Sequence, residues 1–295
     1  MFIDIHAHAY RRLGPLRNGK QWFSTPEQII KRHDEIGIEK AVLLPLVSPE
    51  VYLPQSNEDI LDMVEDFPGR FIPFCNIDPR ALTNSVDAPL GDLLLHYRDK
   101  GCKGIGEVMP NMPFLHPMVQ NLFKHVQDVG FALTFDISDR IGGDYGLYDD
   151  VGLPQLEACL KKFSNLIILG HGPAFWAEIG QLETPADRSG YPKYPIKSEG
   201  VVPKLFRRYP NLYGDLSAGS GCNALTRDPD YAVRFLTEFQ DRLLFGMDIC
   251  TPPAADAPNR LVDFLLDLRK RKKITEDIFR KVARENAVRV LGLNQ

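Results

Sequence analysis

Eight short apolar or β-branched runs recur along this chain, and stretches with helical periodicity fill the intervals between them. That alternation constrains the fold more than any single motif, because strands joined through helices can lie parallel in one sheet with the helices outside. The runs are FIDI (Phe2 to Ile5), KAVLLPLV (Lys40 to Val47), RFIPFCNI (Arg70 to Ile77), GCKGIGEV (Gly101 to Val108), FALTFDI (Phe131 to Ile137), NLIILG (Asn165 to Gly170), NLYGDLS (Asn211 to Ser217) and RLLFGMD (Arg242 to Asp248).

The intervals carry helix signals of their own. Thr25-Pro26-Glu27 combines an N-cap, a proline at the first helical position and an acid in the first turn, and Ser56 precedes the acidic start Asn57-Glu58-Asp59. Segments beginning near Pro89, Pro117, Pro154, Pro203 and Pro258 continue with apolar residues three and four apart. Eight strand-helix units in 295 residues predict an α/β fold, a (β/α)8 TIM barrel forming a single domain over 1–295. The tail ITEDIFRKVARENAVRVLGL adds extra C-terminal helices, stopped by Gly292. An open doubly wound sheet usually has fewer strands, and no phosphate-binding Gly-x-Gly-x-x-Gly follows the first run.

Composition narrows the partners. A formal net charge of -4, with the one dense basic run at Arg269 to Lys273 where a late helix ends, offers no nucleic-acid footprint. No apolar run reaches the ~18 residues of a membrane span, and the start lacks a secretory pattern, so a cytoplasmic protein is expected. Five scattered cysteines, with no Cys-x-x-Cys pair, argue against a disulfide framework or a thiolate zinc knuckle. A small-molecule substrate is the expected partner, and a homo-oligomer is compatible with the sequence.

In a barrel the C-terminal strand ends converge on one face, so polar residues there mark the chemistry. Strand one ends in His6-Ala7-His8, strand four in Glu107, strand five in Asp136, strand six in His171 and strand eight in Asp248. All are metal ligands or proton carriers by residue type. Alternate residues of a strand share a face, so His6 and His8 can bind one cation while Ala7 faces the helices.

Each residue also has a structural reading. An isolated His-x-His is usually an exposed strand, Glu107 can be a rim acid beside the turn glycines Gly104 and Gly106, and Asp136 can pair with Arg140. His171 can be a satisfied core histidine and Asp248 an Asx-turn acid. The convergence of five strand ends outweighs these accounts. His33, His96 and His125 fall in expected helices and His116 precedes a proline, so these are expected to be solvent-facing or capping.

Substrate contacts are expected from the strand-end loops, the longest being Gln181 to Gly200 after strand six, a potential lid or subunit contact. Arg11, Arg12, Arg188 and Lys193 are available to a substrate carboxylate, and Phe175 and Trp176 to wall an apolar pocket or pack the core.

Taken in order, HAH, GHG after strand six, FGMD at strand eight and ENAVRVLGL at the end resemble the amidohydrolase superfamily, specifically its amidohydrolase-2 branch of hydrolases, aromatic-acid decarboxylases and related lyases or hydratases. The resemblance spans the chain and implies a barrel with one or two divalent metals at its mouth. It implies that His6 and His8 are a strand-one ligand pair and that Asp248 is the strand-eight acid that binds metal and handles a proton. His171 matches a catalytic or second-metal histidine, and Glu107 a strand-four carboxylate ligand. The departure is strand five, where decarboxylases of the branch usually carry a histidine and this chain reads LTFDIS, placing Asp136 there. Oxygen in place of nitrogen shifts the site toward harder cations.

The expected function is metal-dependent hydrolysis of an amide, ester or lactone, with zinc as the divalent ion or manganese in its place. Metal ligands are then His6, His8 and Asp248 with Glu107 or Asp136, and the catalytic residues are Asp248 and His171. The alternatives are a decarboxylase or hydratase acting on a carboxylated ring or diacid, and a metal-free binding barrel.

Overall fold

A computed structural model describes residues 1–51, 53–252 and 260–294. Its barrel strands, numbered in chain order, are β1 (Phe2–Ala7), β2 (Ile38–Leu43), β3 (Phe71–Pro73), β4 (Gly104–Val108), β5 (Ala132–Phe135), β6 (Ile168–Gly170), β7 (Leu212–Asp215) and β8 (Leu243–Leu244). β1, β2 and β3 pair in parallel, as do β4 through β8 in sequence. Parallel bridges between Cys75 and Ile105 and between Ala7 and Ile249 join the two arcs, closing an eight-stranded ring. The expected (β/α)8 architecture is present.

Every apolar run carries one barrel strand; β1 extends past its run to Ala7, β2 starts two residues before its run, and the others are shorter than theirs. RLLFGMD pairs in a regular ladder only at Leu243–Leu244, because the chain then bends: Asp248 takes the left-handed backbone conformation, with φ 54, and its amide bonds to His6 O at 2.8 Å. Strand ends that depart from the ladder in this way aim side chains into the barrel mouth.

The principal helices are α1 (Pro26–Ile36), α2 (Asn57–Asp66), α3 (Leu90–Asp99), α4 (Pro117–Val129), α5 (Pro154–Lys162), α6 (Pro173–Trp176), α7 (Val201–Arg208), α8 (Ala218–Thr226), α9 (Pro229–Glu238), α10 (Arg260–Lys270), α11 (Glu276–Arg280) and α12 (Asn286–Val290). Thr25 caps α1 in a reciprocal capping box with Gln28, and Ser56 caps α2 through Asp59 N at 3.1 Å. The expected start near Pro258 lies outside the described residues.

Ile3, Ile5, Val42, Leu44, Ile72, Phe74, Leu169 and Leu244 fill the barrel interior, closed from below by Ala287 and Leu291. Outside it, Ala7 packs with Ile29 of α1 and Ile60 of α2, so the residue between the two histidines faces the helices as expected.

Phe175 and Trp176 belong to the fully buried core, which removes them as a pocket wall; Trp176 Nε1 donates to Asp215 O at 2.8 Å. The ring of Phe175 occupies the space that a Cβ on Gly170 would need. Gly170→Ala, one residue before His171, is therefore expected to lose about 1–3 kcal/mol of stability through overpacking, read as a lower denaturation midpoint with an unchanged m-value.

Candidate metal centre

The histidines reach the barrel mouth through a break in β1. Ile3 and Ile5 pack inside the barrel, yet the next residue, His6, also points inward, and the β1–β2 register slips between Asp4 and Ala7. A bulge of this kind re-aims side chains and frees backbone amides. Asp4, fully buried, takes up two: its Oδ1 accepts from His6 N at 3.0 Å and Met247 N at 2.8 Å. Its Oδ2 lies 3.2 Å from His33 Nε2, so His33 is a buried brace of this corner and not the solvent-facing residue that its helical position suggests.

His6 and His8 are held in matched orientations. His6 Nδ1 lies 2.6 Å from Asp215 Oδ2, and His8 Nδ1 lies 2.8 Å from Leu44 O. A carboxylate and a carbonyl only accept, so each Nδ1 donates and each Nε2 is turned inward. The two Nε2 atoms are 3.0 Å apart, with Glu107 Oε2 at 3.5 and 3.4 Å and Asp248 Oδ1 at 3.8 and 3.5 Å from them.

Four electron-pair donors thus converge where, among the described residues, no other side chain aims a donor hydrogen. They repel one another unless a cation lies among them, a proton or a metal ion. Zinc bonds of roughly 2.0–2.2 Å in tetrahedral geometry set ligands about 3.3–3.6 Å apart, and the spacings found here bracket that range. The residues present fit a divalent ion.

A second group shares Glu107. Its Oε1 lies 3.6 Å from His171 Nε2, and Glu107, Asp136 and His171 can bring ligand atoms within 4.8 Å of one another, as can His6, His8 and Asp248. Asp136 Oδ1 accepts from Ile137 N at 2.6 Å and fills the space where a Cβ on Gly172 would stand. Arg140 is not its partner; that guanidinium pairs with Asp144 at 2.9 Å and Asp139 at 3.4 Å.

The electrostatics follow from crowding acids and imidazoles out of water. Burial, reinforced by Glu107, pushes the Asp136 carboxyl up to about 8. Burial favours neutral His171, but Asp215 and Glu107 outweigh it and raise the imidazole to about 9. His6 is raised well above its ordinary value, again against burial, by Asp215, Glu107 and Asp248. In the metal-free protein Asp136 is protonated at pH 7 and His6 is biased toward its charged form, so a divalent cation that takes either as a ligand displaces a proton, whereas His171, outside the ligand set, keeps its own. Zinc uptake is therefore expected to release protons, with apparent affinity rising about tenfold per pH unit for each proton displaced between pH 6.5 and 8.5. Competition titrations across that range check it, and a flat profile contradicts it.

Asp215 went unmarked in the sequence reading. Fully buried at the end of β7, it accepts from Ser217 N at 3.0 Å through Oδ1, while Oδ2 faces His6 Nδ1 and, at 3.4 Å, His171 Nδ1. The signal was present in NLYGDLS, whose strand ends in an acid just as FALTFDI does.

The cluster forms the floor of a cavity of about 800 Å³. Trp22, Phe23, Leu46, Val51, Met109, Tyr145 and Tyr191 supply its walls. Arg17 is its one lining Lys or Arg among the described residues, with the guanidinium over the Trp22 ring at 4.1 Å. Arg188, proposed for a substrate carboxylate on sequence grounds, is instead buried against Glu178 at 2.7 Å and donates to Asp149 O at 2.6 Å. It anchors the 181–200 loop, which is pinned at its base by Gln181 N to Ser198 O at 2.9 Å and brings Tyr191 to the cavity. Arg11 pairs with Asp62 and Asp66 on the surface.

A family model described as Amidohydrolase matches residues 3–293. Among solved structures, an uncharacterized TIM-barrel protein from Bordetella bronchiseptica superposes with a TM-score of 0.66 at 17% identity, covering 99% of this chain and 98% of that one. A 5-carboxyvanillate decarboxylase from Sphingomonas paucimobilis gives 0.59 at 15% identity, with 99% of each chain covered. An amidohydrolase from Burkholderia multivorans with bound zinc gives 0.60 at 12%, with 100% of each covered. At these identities the likeness carries the fold. No curated protein matches the chain.

Proposed function

The chain belongs to the amidohydrolase family, whose members are metal-dependent enzymes, and we propose that it is a hydrolase of a small carbonyl-type substrate, an amide, ester or lactone. The observation that carries the reading is the inward-facing Nε2 pair of His6 and His8, 3.0 Å apart and flanked by Glu107 and Asp248. His6, His8, Glu107 and Asp248 would hold the ion, with Asp136 as the alternative carboxylate. When bound, a divalent cation supplies Lewis acidity toward a carbonyl oxygen and acidifies water to a pKa of ~7.

Proton handling falls to Asp248. Its side chain is 22% exposed into the cavity, whereas His6, His8, Glu107 and His171 are at most 5% exposed. It is therefore the member of the cluster that can exchange protons with a water or leaving group. Its backbone, tied to His6 O, fixes the carboxylate beside both imidazoles. His171, raised to about 9 and steadied by Ser217 Oγ at 3.0 Å, donates a hydrogen bond from Nε2 toward negative charge developing on the substrate.

Hydrolysis is favoured over decarboxylation by the lack, among the described residues, of a cationic Lys or Arg on the floor. Glu107, Asp136 and Asp248 face the reacting position, and among the described residues no Lys or Arg stands with them to receive a carboxylate there. Turnover of a panel of lactones, esters and amides by the zinc-loaded protein in ¹⁸O-water tests the reading. Label in the acid product is expected; release of CO₂ from aromatic acids without label would replace hydrolase by decarboxylase.

A further inference from the structure

Asp4 and His33 do not line the cavity, yet the bonds around them lead into the metal centre. Asp4 is fully buried, and its Oδ1 accepts from His6 N at 3.0 Å and from Met247 N at 2.8 Å. His6 O in turn accepts from Asp248 N at 2.8 Å. One carboxylate oxygen thus joins the His6 backbone to the residue before Asp248, and a further bond ties the two ligands directly. Asp248 depends on that hold, because its φ of 54 is a left-handed conformation that persists only where the surroundings impose it.

The other oxygen of Asp4 meets His33, a buried residue in the last turn of α1. Asp4 Oδ2 and His33 Nε2 are 3.2 Å apart but not aligned as a hydrogen bond, and among the described residues neither atom has any hydrogen-bond partner. Each is therefore the polar neighbour on which the other depends. Ile29, one turn earlier on the same face of α1, packs with Ala7. Asp4 and Ala7 are the two residues that flank the register slip in β1. Helix α1 thus grips the slip from both sides, with an apolar contact at one end and a polar one at the other. Pinning a helix does not require the second contact, since two apolar side chains would do so without burying a carboxylate and an imidazole.

We propose that His33 is a positioning residue of the metal centre, acting through Asp4 on His6 and Asp248 together. Without the imidazole, Asp4 Oδ2 is buried with no polar neighbour. An oxygen in that state is unfavourable, and the carboxylate relieves it by turning, which loosens the bonds to His6 N and Met247 N. The backbones of two metal ligands then lose their common tie. The inference rests on the metal-binding part of the proposed function and is independent of the reaction class.

The test combines zinc affinity by chelator competition with the visible absorption of the cobalt(II)-loaded full chain, whose bands follow the geometry of the ligands. His33→Leu and His33→Asn are each expected to weaken zinc binding about tenfold, the low end of the range for residues that support a metal ligand, and to shift the cobalt bands. His33→Gln places an amide nitrogen about where Nε2 stands, so it is expected to retain both the affinity and the spectrum of the natural protein. If His33→Leu fails to fold by circular dichroism, His33→Asn carries the comparison. A purely structural His33 would lower the unfolding midpoint and leave affinity and spectrum alone; that result overturns the proposal, as does equal weakening in the Asn and Gln variants. A natural protein that takes up neither zinc nor cobalt overturns the metal reading itself, and this inference with it, whereas a natural protein that binds both beside unaltered variants overturns the inference alone.

Discussion

Replacing His6 and His8 together with alanine is expected to strip the protein of its metal and to lower turnover by at least about 10³-fold. The size follows from the ligand count. Zinc sites of four protein ligands are worth roughly 10–16 kcal/mol in all, so two imidazoles account for about 5–8 kcal/mol, or some four to six powers of ten in affinity. The loss is not repaired from nearby. Once the rings are gone, Glu107 and Asp248 face each other across a void, and Asp215 loses its His6 partner at 2.6 Å. Carboxylates left unpaired in a buried site hold their protons instead of a metal. Metal content after dialysis, measured with turnover and a circular dichroism melt, reads the three consequences separately. A folded variant with unchanged metal and turnover would sink the whole account of the site.

The sequence made some of this site easier to read than the rest, for physical reasons. His6, His8, Glu107, Asp136, His171 and Asp248 stood out because a charged or imidazole side chain after an apolar run is expensive to bury without a purpose. The structure brings all six around one cavity floor or immediately beneath it. Asp215 obeys the same rule at the end of the apolar stretch in NLYGDLS and is legible there on the same ground. Asp4 was not legible at all: period-two alternation puts Asp4, His6 and His8 on one face, and only the register slip in β1 turns Asp4 outward to His33 while the other two turn in. A bulge leaves little trace in a six-residue strand. Long side chains misled for a different reason. Arg188 looked available because arginine usually is, but whether its charge meets a substrate or a buried glutamate depends on a loop closure that local sequence does not encode.

Asp215→Asn is expected to weaken zinc binding by about 10–100-fold, the usual range for losing a carboxylate behind a ligating histidine, and to match Asp215→Ala in this respect despite its better shape. The reason is tautomeric. Asp215 Oδ1 is committed to Ser217 N at 3.0 Å, so an asparagine that keeps this bond presents its NH₂ group to His6 Nδ1. That nitrogen must then accept, which moves the ring proton to Nε2 and blocks the lone pair that faces His8 and the metal position. Alanine leaves Nδ1 without a partner but does not dictate the tautomer, and it opens a cavity in a fully buried site. The two variants should therefore separate on stability and coincide on metal: Asn folds nearly as well as the natural protein, while Ala loses about 2–4 kcal/mol from the void and the orphaned amide of Ser217. Zinc affinity by chelator competition, read beside denaturant unfolding, distinguishes the cases. If Asp215→Asn kept natural affinity, Asp215 would be a packing residue and the orientation of His6 would have to come from β1 alone.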